Sequence, residues 1–313
     1  MNIKIFSIMS ILMMILVAGC GGQNETAKTA NNFCTVTDDS GREITLDKKP
    51  ARVVTVSASF LEPLHAVGLD VIGRPSSKYE IPEYAKDAAE IGAVYQIDTE
   101  KLLACQPDLV IINKGMNERL GDLLTENKIN FFVADMKGYD SVKKNLAAFA
   151  QMAGQPEKGT QIISDMDKKI SDTVSKLPKD KKRVAILHST AQGLSVQLDN
   201  SIAGNVVKIL GWENVASGMQ ATKDGGDTAP YSLETLVEQN PEIIFVTSMG
   251  KLDEIKANVE KLIAENPAWQ TIPAIQNKQL YFLPQDLFLL SPGINYPAAV
   301  EYAAKLIYPE VEF

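Results

Sequence analysis

Two glutamates, Glu100 and Glu234, hold the same place in two copies of one short pattern. Each stands two residues after a polar residue able to cap a helix, Asp98 or Ser232. Each is followed by a short apolar-periodic stretch, a proline (Pro107, Pro241), an acid (Asp108, Glu242) and a run of buried-strand composition. A carboxylate in the first helical turn complements the helix dipole, worth roughly 0.3–1 kcal/mol when exposed, so either glutamate alone needs no further role. Other residues with chemical potential are sparse. The chain has two histidines, His65 and His188, and three cysteines, Cys20, Cys34 and Cys105. Two histidines fall short of the His-rich cage that holds Zn²⁺ or Mn²⁺, and both read as structural. Cys34 and Cys105 could form one disulfide outside the cytoplasm, although Cys105, late in a predicted helix, reads rather as a buried free thiol. No nucleophile–base pair suggests itself, nor does any Gly-x-Ser-x-Gly elbow, Walker loop or His-Glu-x-x-His. The chain therefore reads as a binding protein without a catalytic cofactor, with an enzyme or a surface adhesin as the rival classes.

What must position these residues is a duplicated α/β scaffold. An arginine opening a strand-like apolar run (Arg52-Val-Val, Arg183-Val-Ala) leads to an apolar helix and a glycine twice, over 52–68 and 183–211, upstream of each glutamate pattern. Between the copies lies one amphipathic helix, predicted over 156–177, with Ile162, Met166, Ile170 and Val174 spaced by four and Ile163 and Leu177 widening the stripe. Pro156 opens it and Pro178 closes it. Strands alternate with helices on both sides, which predicts parallel sheets. The expected fold is α/β: two similar Rossmann-like lobes with mainly parallel sheets, 36–155 and 178–313, joined by that one long helix. Two copies make a duplicated domain and not a solenoid.

The first twenty residues read as a targeting segment. Lys4 supplies the positive end and 5–18 an apolar core. Val17-Ala18-Gly19-Cys20 resembles the lipobox of bacterial lipoproteins, which implies removal of 1–19 and acylation of Cys20. Residues 20–35 would be a flexible polar tether, and the protein would sit outside the cytoplasm, lipid-anchored to the membrane. The net charge of −8 argues against nucleic acid and against a polybasic membrane surface. A monomer is expected.

In such sheets ligands sit beyond the carboxyl ends of the strands. Here those ends are 57–60, with Ser57 and Phe60, and Lys114 to Met116 in the first lobe. In the second they are 189–192, Met249-Gly250 and 286–288, including Phe288.

From about residue 36 to 310 the chain resembles the cluster A-II (class III) periplasmic binding proteins. The resemblance rests on Arg52-Val-Val-Thr-Val, on Glu100 and Glu234 in their repeated settings, and on the single linking helix. This family hands iron–siderophores, heme or cobalamin to ABC importers. The resemblance implies that Glu100 and Glu234 are surface carboxylates, one per lobe, that dock onto arginines of an ABC permease. Residues 72–79, 201–211 and 286–288 are similar to the heme-receptor lipoproteins of Gram-positive bacteria. In those receptors an iron ligand lies five residues before the first docking glutamate, where Tyr95 stands. A second lies just before the glycine ending a lobe-two strand, where this chain has Met249 and the receptors have His. Phenolate and thioether both ligate heme iron, and Arg74 or Lys78 could favour the phenolate. Ser57, Phe60, Tyr79, Lys114, Tyr231 and Phe288 would complete the ligand contacts. Heme is favoured. A ferric siderophore would call for clustered cations, of which only Arg74, Lys78, Lys114, Arg119 and Lys223 are candidates. Cobalamin would be served by the aromatic residues.

Overall fold

The computed structural model describes residues 32–78, 80–190 and 193–313, so the expected signal peptide, Cys20 and most of the tether lie outside the described residues. The chain opens with β1 (Cys34–Thr37) and β2 (Glu43–Leu46), an antiparallel pair around a turn at 38–41. Period-two alternation sends Val36, Ile44 and Leu46 into the core.

The first lobe runs β3 (Val53–Thr55), α1 (Leu61–Ala66), β4 (Val71–Ser76), β5 (Ala89–Ala93), β6 (Gln96–Ile97), α2 (Thr99–Ala104), β7 (Leu109–Asn113), α3 (Leu120–Glu126), β8 (Asn130–Ala134) and α4 (Tyr139–Met152). Its sheet has the order β6-β5-β4-β3-β7-β8, parallel throughout except for the β5–β6 hairpin. Both faces are covered, as a parallel sheet requires. Val53, Leu109 and Ile111 join one core, while Val54, Val110 and Ile112 join another on the opposite face.

The linking helix, α5 (Pro156–Ser175), ends two residues earlier than expected, with Lys176 as its C-cap ahead of Pro178. Met166 and Ile170 are buried, and Ile162, Ile163, Val174 and Leu177 pack at the margin of the same core. Its contact with α4 is close: a Cβ added at Gly159 would lie 2.4 Å from Ala150 Cβ. Replacing Gly159 with alanine should improve helix propensity by about 1 kcal/mol, but the overpacking should cost about 1–3 kcal/mol. The expected result is a net loss of stability in a urea titration of Gly159→Ala; an unchanged or raised midpoint would refute the tight contact.

The second lobe runs β9 (Arg183–Thr190), β10 (Gly193–Gln197), α6 (Ile202–Ile209), β11 (Glu213–Asn214), β12 (Thr228–Pro230), α7 (Leu233–Gln239), β13 (Ile243–Ser248), α8 (Leu252–Glu265), α9 (Pro273–Gln276), β14 (Leu280–Phe282), α10 (Gln285–Phe288) and α11 (Tyr296–Ile307). Its order is β12-β10-β9-β13-β14, with β11 beside the start of β9. The sheet is mainly parallel, as expected, with an antiparallel edge. β9, β11, β13 and β14 are parallel, but β10 and β12 are antiparallel additions. β10 pairs back onto β9 from Gly193↔Thr190 onward, ahead of the next helix.

The sequence repeat is a repeat of contacts. The Asp108 carboxylate accepts from the backbone N–H groups of Ala51 and Arg52 at 2.9 and 2.8 Å, and the Glu242 carboxylate accepts from that of Arg183 at 3.0 Å. The Arg52 guanidinium donates to the Cys105 carbonyl at the end of α2, and Arg183 donates to the Gln239 carbonyl at the end of α7. Gln106 and Asn240, each directly before its proline, turn the chain at φ 48° and 49°. Each acid thus anchors the start of a strand, and each arginine satisfies helix carbonyls left open at a C-terminus.

One core spans both sheets. Val53, Leu109, Ile111 and Phe132 of the first lobe share it with Val184, Ile186, Ile243 and Phe245 of the second, through α4, α5, α6 and α11. Polar contacts cross the same seam. Asn205 Oδ1 accepts from Tyr139 N–H at 2.9 Å and lies 3.1 Å from the Tyr296 hydroxyl, which also reaches the Lys137 carbonyl at 2.9 Å. Lys137 pairs with Asp227 at 2.7 Å. Burial and the nearby Asp140 carboxylate hold the Tyr296 phenol far above its ordinary pKa, so it stays a neutral donor. Cys34 and Cys105 are both free, Cys105 buried, and burial raises both thiols.

Candidate ligand-binding site

Large apolar side chains left exposed by the fold collect at the carboxyl ends of the strands. Tyr95 is 73% exposed in the two-residue turn between β5 and β6, Met116 is 52% exposed after β7, and Met249 is 66% exposed after β13. Leu252 and Leu290, following β13 and β14, are also exposed. Phe33, Leu262 and Tyr302 are exposed elsewhere, so among the described residues five of the eight exposed large hydrophobics lie at the end where α/β sheets bind ligands.

The loops carrying them are held by polar contacts. Gly115 N–H donates to Glu118 Oε2 at 3.1 Å, and Lys114 Nζ donates to the Asp39 carbonyl at 2.7 Å. Asn117 Nδ2 donates to the Val94 carbonyl at 2.8 Å, tying the Met116 loop to the Tyr95 turn. In the second lobe Gly250 takes φ 143°, a backbone that side chains resist, and its carbonyl accepts from Gln285 Nε2 at 2.7 Å. Met249 is thereby presented on a fixed loop.

Several expected contacts need revision. Phe60 and Phe288 are each 1% exposed and pack in the central core, so they support the site from beneath and do not touch a ligand. Ser57 is buried too, its carbonyl accepting from Thr55 Oγ1 at 3.1 Å. Tyr231 is half-buried and stacked on Trp269 at 6.2 Å, with burial pushing its phenol up to about 12. Tyr79 lies outside the described residues. Lys114 is exposed at the expected strand end, although its ammonium is engaged by Asp39. Arg74 is not available to a Tyr95 phenolate. It is buried, donates to the Ala85 and Pro75 carbonyls, and pairs with Glu90 at 3.1 Å.

The histidines are engaged as well. His65 stacks on Tyr84 at 3.8 Å and meets Asp70 at 2.6 Å. His188 Nδ1 lies 3.0 Å from Thr247 Oγ1; burial lowers its pKa, opposed by Asp227. Among the described residues no group of three or more His, Cys, Asp or Glu could hold a bare metal ion. Met116, which the sequence places at a strand end without marking it as a ligand contact, is exposed there in the same way as Met249. The signal was present, because Gly115 and Gly250 follow equivalent strands and each has a methionine beside it.

Glu100 and Glu234 are exposed in the first turns of α2 and α7. Both helices are capped the same way: Asp98 Oδ1 accepts from Lys101 N–H at 3.1 Å, and Ser232 Oγ from Thr235 N–H at 3.3 Å. Both glutamates therefore project from rigid, equivalent mounts.

The architecture has solved counterparts. An ABC transporter substrate-binding protein from Listeria monocytogenes is similar with a TM-score of 0.74 and 24% identity, over 84% of this chain and 100% of that one. The heme complex of IsdE from Staphylococcus aureus is similar with a TM-score of 0.71 and 22% identity, over 82% and 98%. In sequence, the Fe(3+)-citrate-binding protein YfmC of Bacillus subtilis is 24% identical over 307 residues, 93% of each chain. With residues 53–287 matching the family as a whole, the doubled α/β scaffold and its paired helix mounts belong to a periplasmic binding protein.

Proposed function

We propose that this protein is the substrate-binding lipoprotein of an ABC importer and that it captures heme between its lobes. The observation that carries the ligand class is the placement of Tyr95, Met116 and Met249. A flat apolar macrocycle covers such side chains, whereas a small anionic complex gains nothing from them. The buried guanidinium of Arg74 is committed to Glu90 and to backbone carbonyls, which weighs against a polyanionic catecholate. Tyr95 and Met249 are the proposed iron ligands, one from each lobe. With Arg74 committed, Lys78 and the ferric iron itself are the charges left to favour a phenolate. Lys114 and the exposed face of Tyr231 border the cargo. The expected anchor is Cys20 after loss of 1–19, with 20–35 as tether, and the working form is a monomer that docks through Glu100 and Glu234.

Hemin titration tests this reading. The unmodified chain should give a shifted Soret band at 1:1 stoichiometry. Tyr95→Ala and Met249→Ala should each weaken binding by about tenfold or more and move the band, because each removes a direct iron ligand. A Soret band unaltered in both variants would refute the ligand assignment. Binding of ferric citrate or a ferric siderophore with no response to hemin would turn the reading to the anionic iron complexes that the YfmC similarity suggests.

A further inference from the structure

Among the described residues, the one non-local hydrogen bond to the Val94–Tyr95 turn comes from the buried side chain of Asn117. Asn117 is 5% exposed. Its Nδ2 donates to the Val94 carbonyl at 2.8 Å, while its Oδ1 is buried with no partner among the described residues. Leaving half of a buried amide unsatisfied is destabilising, and an apolar residue of similar size would avoid that cost. What the amide provides is a link between two sites of exposure. Its own neighbour is Met116, and the neighbour of its acceptor is Tyr95.

The mechanical need for that link is visible in the sheet. β6 is two residues long and pairs only with β5, at Gly92↔Ile97 and Ala93↔Gln96. A hairpin of this size at the sheet edge has little stiffness of its own, and local opening is cheapest where contacts are few. Met116, by contrast, sits on a loop fixed by the Glu118–Gly115 bond and by the Asn117 N–H donating to the Asn113 carbonyl at 3.0 Å.

We propose that Asn117 is a positioning residue of the ligand site, its amide holding the Val94–Tyr95 turn against the Met116 loop so that Tyr95 and Met116 meet the cargo as one preformed surface. This rests on the heme reading above. Asn117 touches no ligand itself. It acts by removing freedom from Tyr95 before binding, so that the ordering cost does not fall on the binding step.

The test is a double-mutant cycle with a ligand-free companion measurement. Asn117→Ala should weaken hemin binding about tenfold in the unmodified background and should have little effect in a Tyr95→Ala background, because the strut then has nothing to position. Equal losses in both backgrounds would overturn the proposal and leave Asn117 a packing residue. In the ligand-free protein, amide exchange across residues 92–97 should rise about tenfold in Asn117→Ala while β7 and β13 stay protected. Exchange unchanged in that segment would also overturn it. Asn117→Leu keeps the size but loses the donor, and it should reproduce both effects if the alanine variant folds poorly. An unmodified chain that gives no Soret shift would defeat the heme reading alone, and the exchange measurement would still decide whether Asn117 holds the turn.

Discussion

Glu100→Ala combined with Glu234→Ala should abolish uptake of the cargo by cells while leaving hemin affinity within about twofold. The physical basis is separation of roles. Both carboxylates are exposed at the starts of helices whose caps are made by other residues, so removing them loses only an exposed dipole interaction of roughly 0.3–1 kcal/mol each. Docking is different, because two charges on a rigid body fix register as well as attraction, and like-charge or unpaired contacts at a partner surface are penalised. Each single variant should lower uptake, and the pair should eliminate it. The decisive comparison sets uptake by cells carrying the variant against a titration of the same purified protein. Lost hemin binding would place the glutamates in the ligand site and sink the docking role.

Asp38→Ala should be the most destabilising single change outside the hydrophobic core. Its carboxylate is fully buried and accepts from the backbone N–H groups of Ser40, Arg42 and Val133 at 2.9, 2.9 and 3.2 Å, and from the Arg42 guanidinium at 2.7 Å. It thus fastens the β1–β2 turn to β8. Removing one partner of a buried pair costs about 3–5 kcal/mol, and because Arg42 is 39% exposed the lower end, about 3 kcal/mol, is expected. A fall in Tm on the order of 10 °C would follow. The same group sets an acid limit. Burial, the largest single influence, pushes its pKa up, but the hydrogen bonds from Arg42 and Val133 and the Arg42 charge together hold it below the ordinary value of 3.8. Stability from Asp38 is therefore complete above about pH 4 and declines as pH falls through the lowered native pKa. Acid unfolding of the unmodified chain should show this loss, and Asp38→Asn should flatten it. A variant with the same acid midpoint and the same Tm would refute the clamp.

The doubled scaffold could be read from the chain because its cause is local. A capping side chain, an acid in the first turn, an apolar period, a left-handed residue and a proline each act within a few residues, and both copies carry all of them. Gln106 and Asn240 show how far this goes, since they reach the same φ without being the same residue. The antiparallel edge of the second sheet was not legible. β10 and β12 are short, and β12 contains Pro230, so nothing in their composition separates them from loops until β9 is there to pair with. The site was half legible for a related reason. Periodicity says that an aromatic residue lies at a strand end, but not whether it turns inward or outward. Phe60 completes a single turn of 3-10 helix that rotates it into the core, and Phe288 ends a four-residue helix that does the same. Tyr95, in a hairpin tip too short to hide anything, had only solvent to face. Arg74 was invisible as a structural cation because two of its partners are the Ala85 and Pro75 carbonyls, with no signature in sequence, and Glu90 comes beside it only through β4–β5 pairing.

The common interior beneath the two sheets has a mechanical consequence. Opening the lobes widely would strip neighbours from Ile186, Phe245, Phe132 and the α5 stripe together, so the molecule resists bending as a bonded beam does and not as two plates on a pin. On the function proposed above, cargo would then enter and leave without wide separation of the lobes. A permease docked on Glu100 and Glu234 as proposed would have to reshape the exposed loops at the strand ends to extract it.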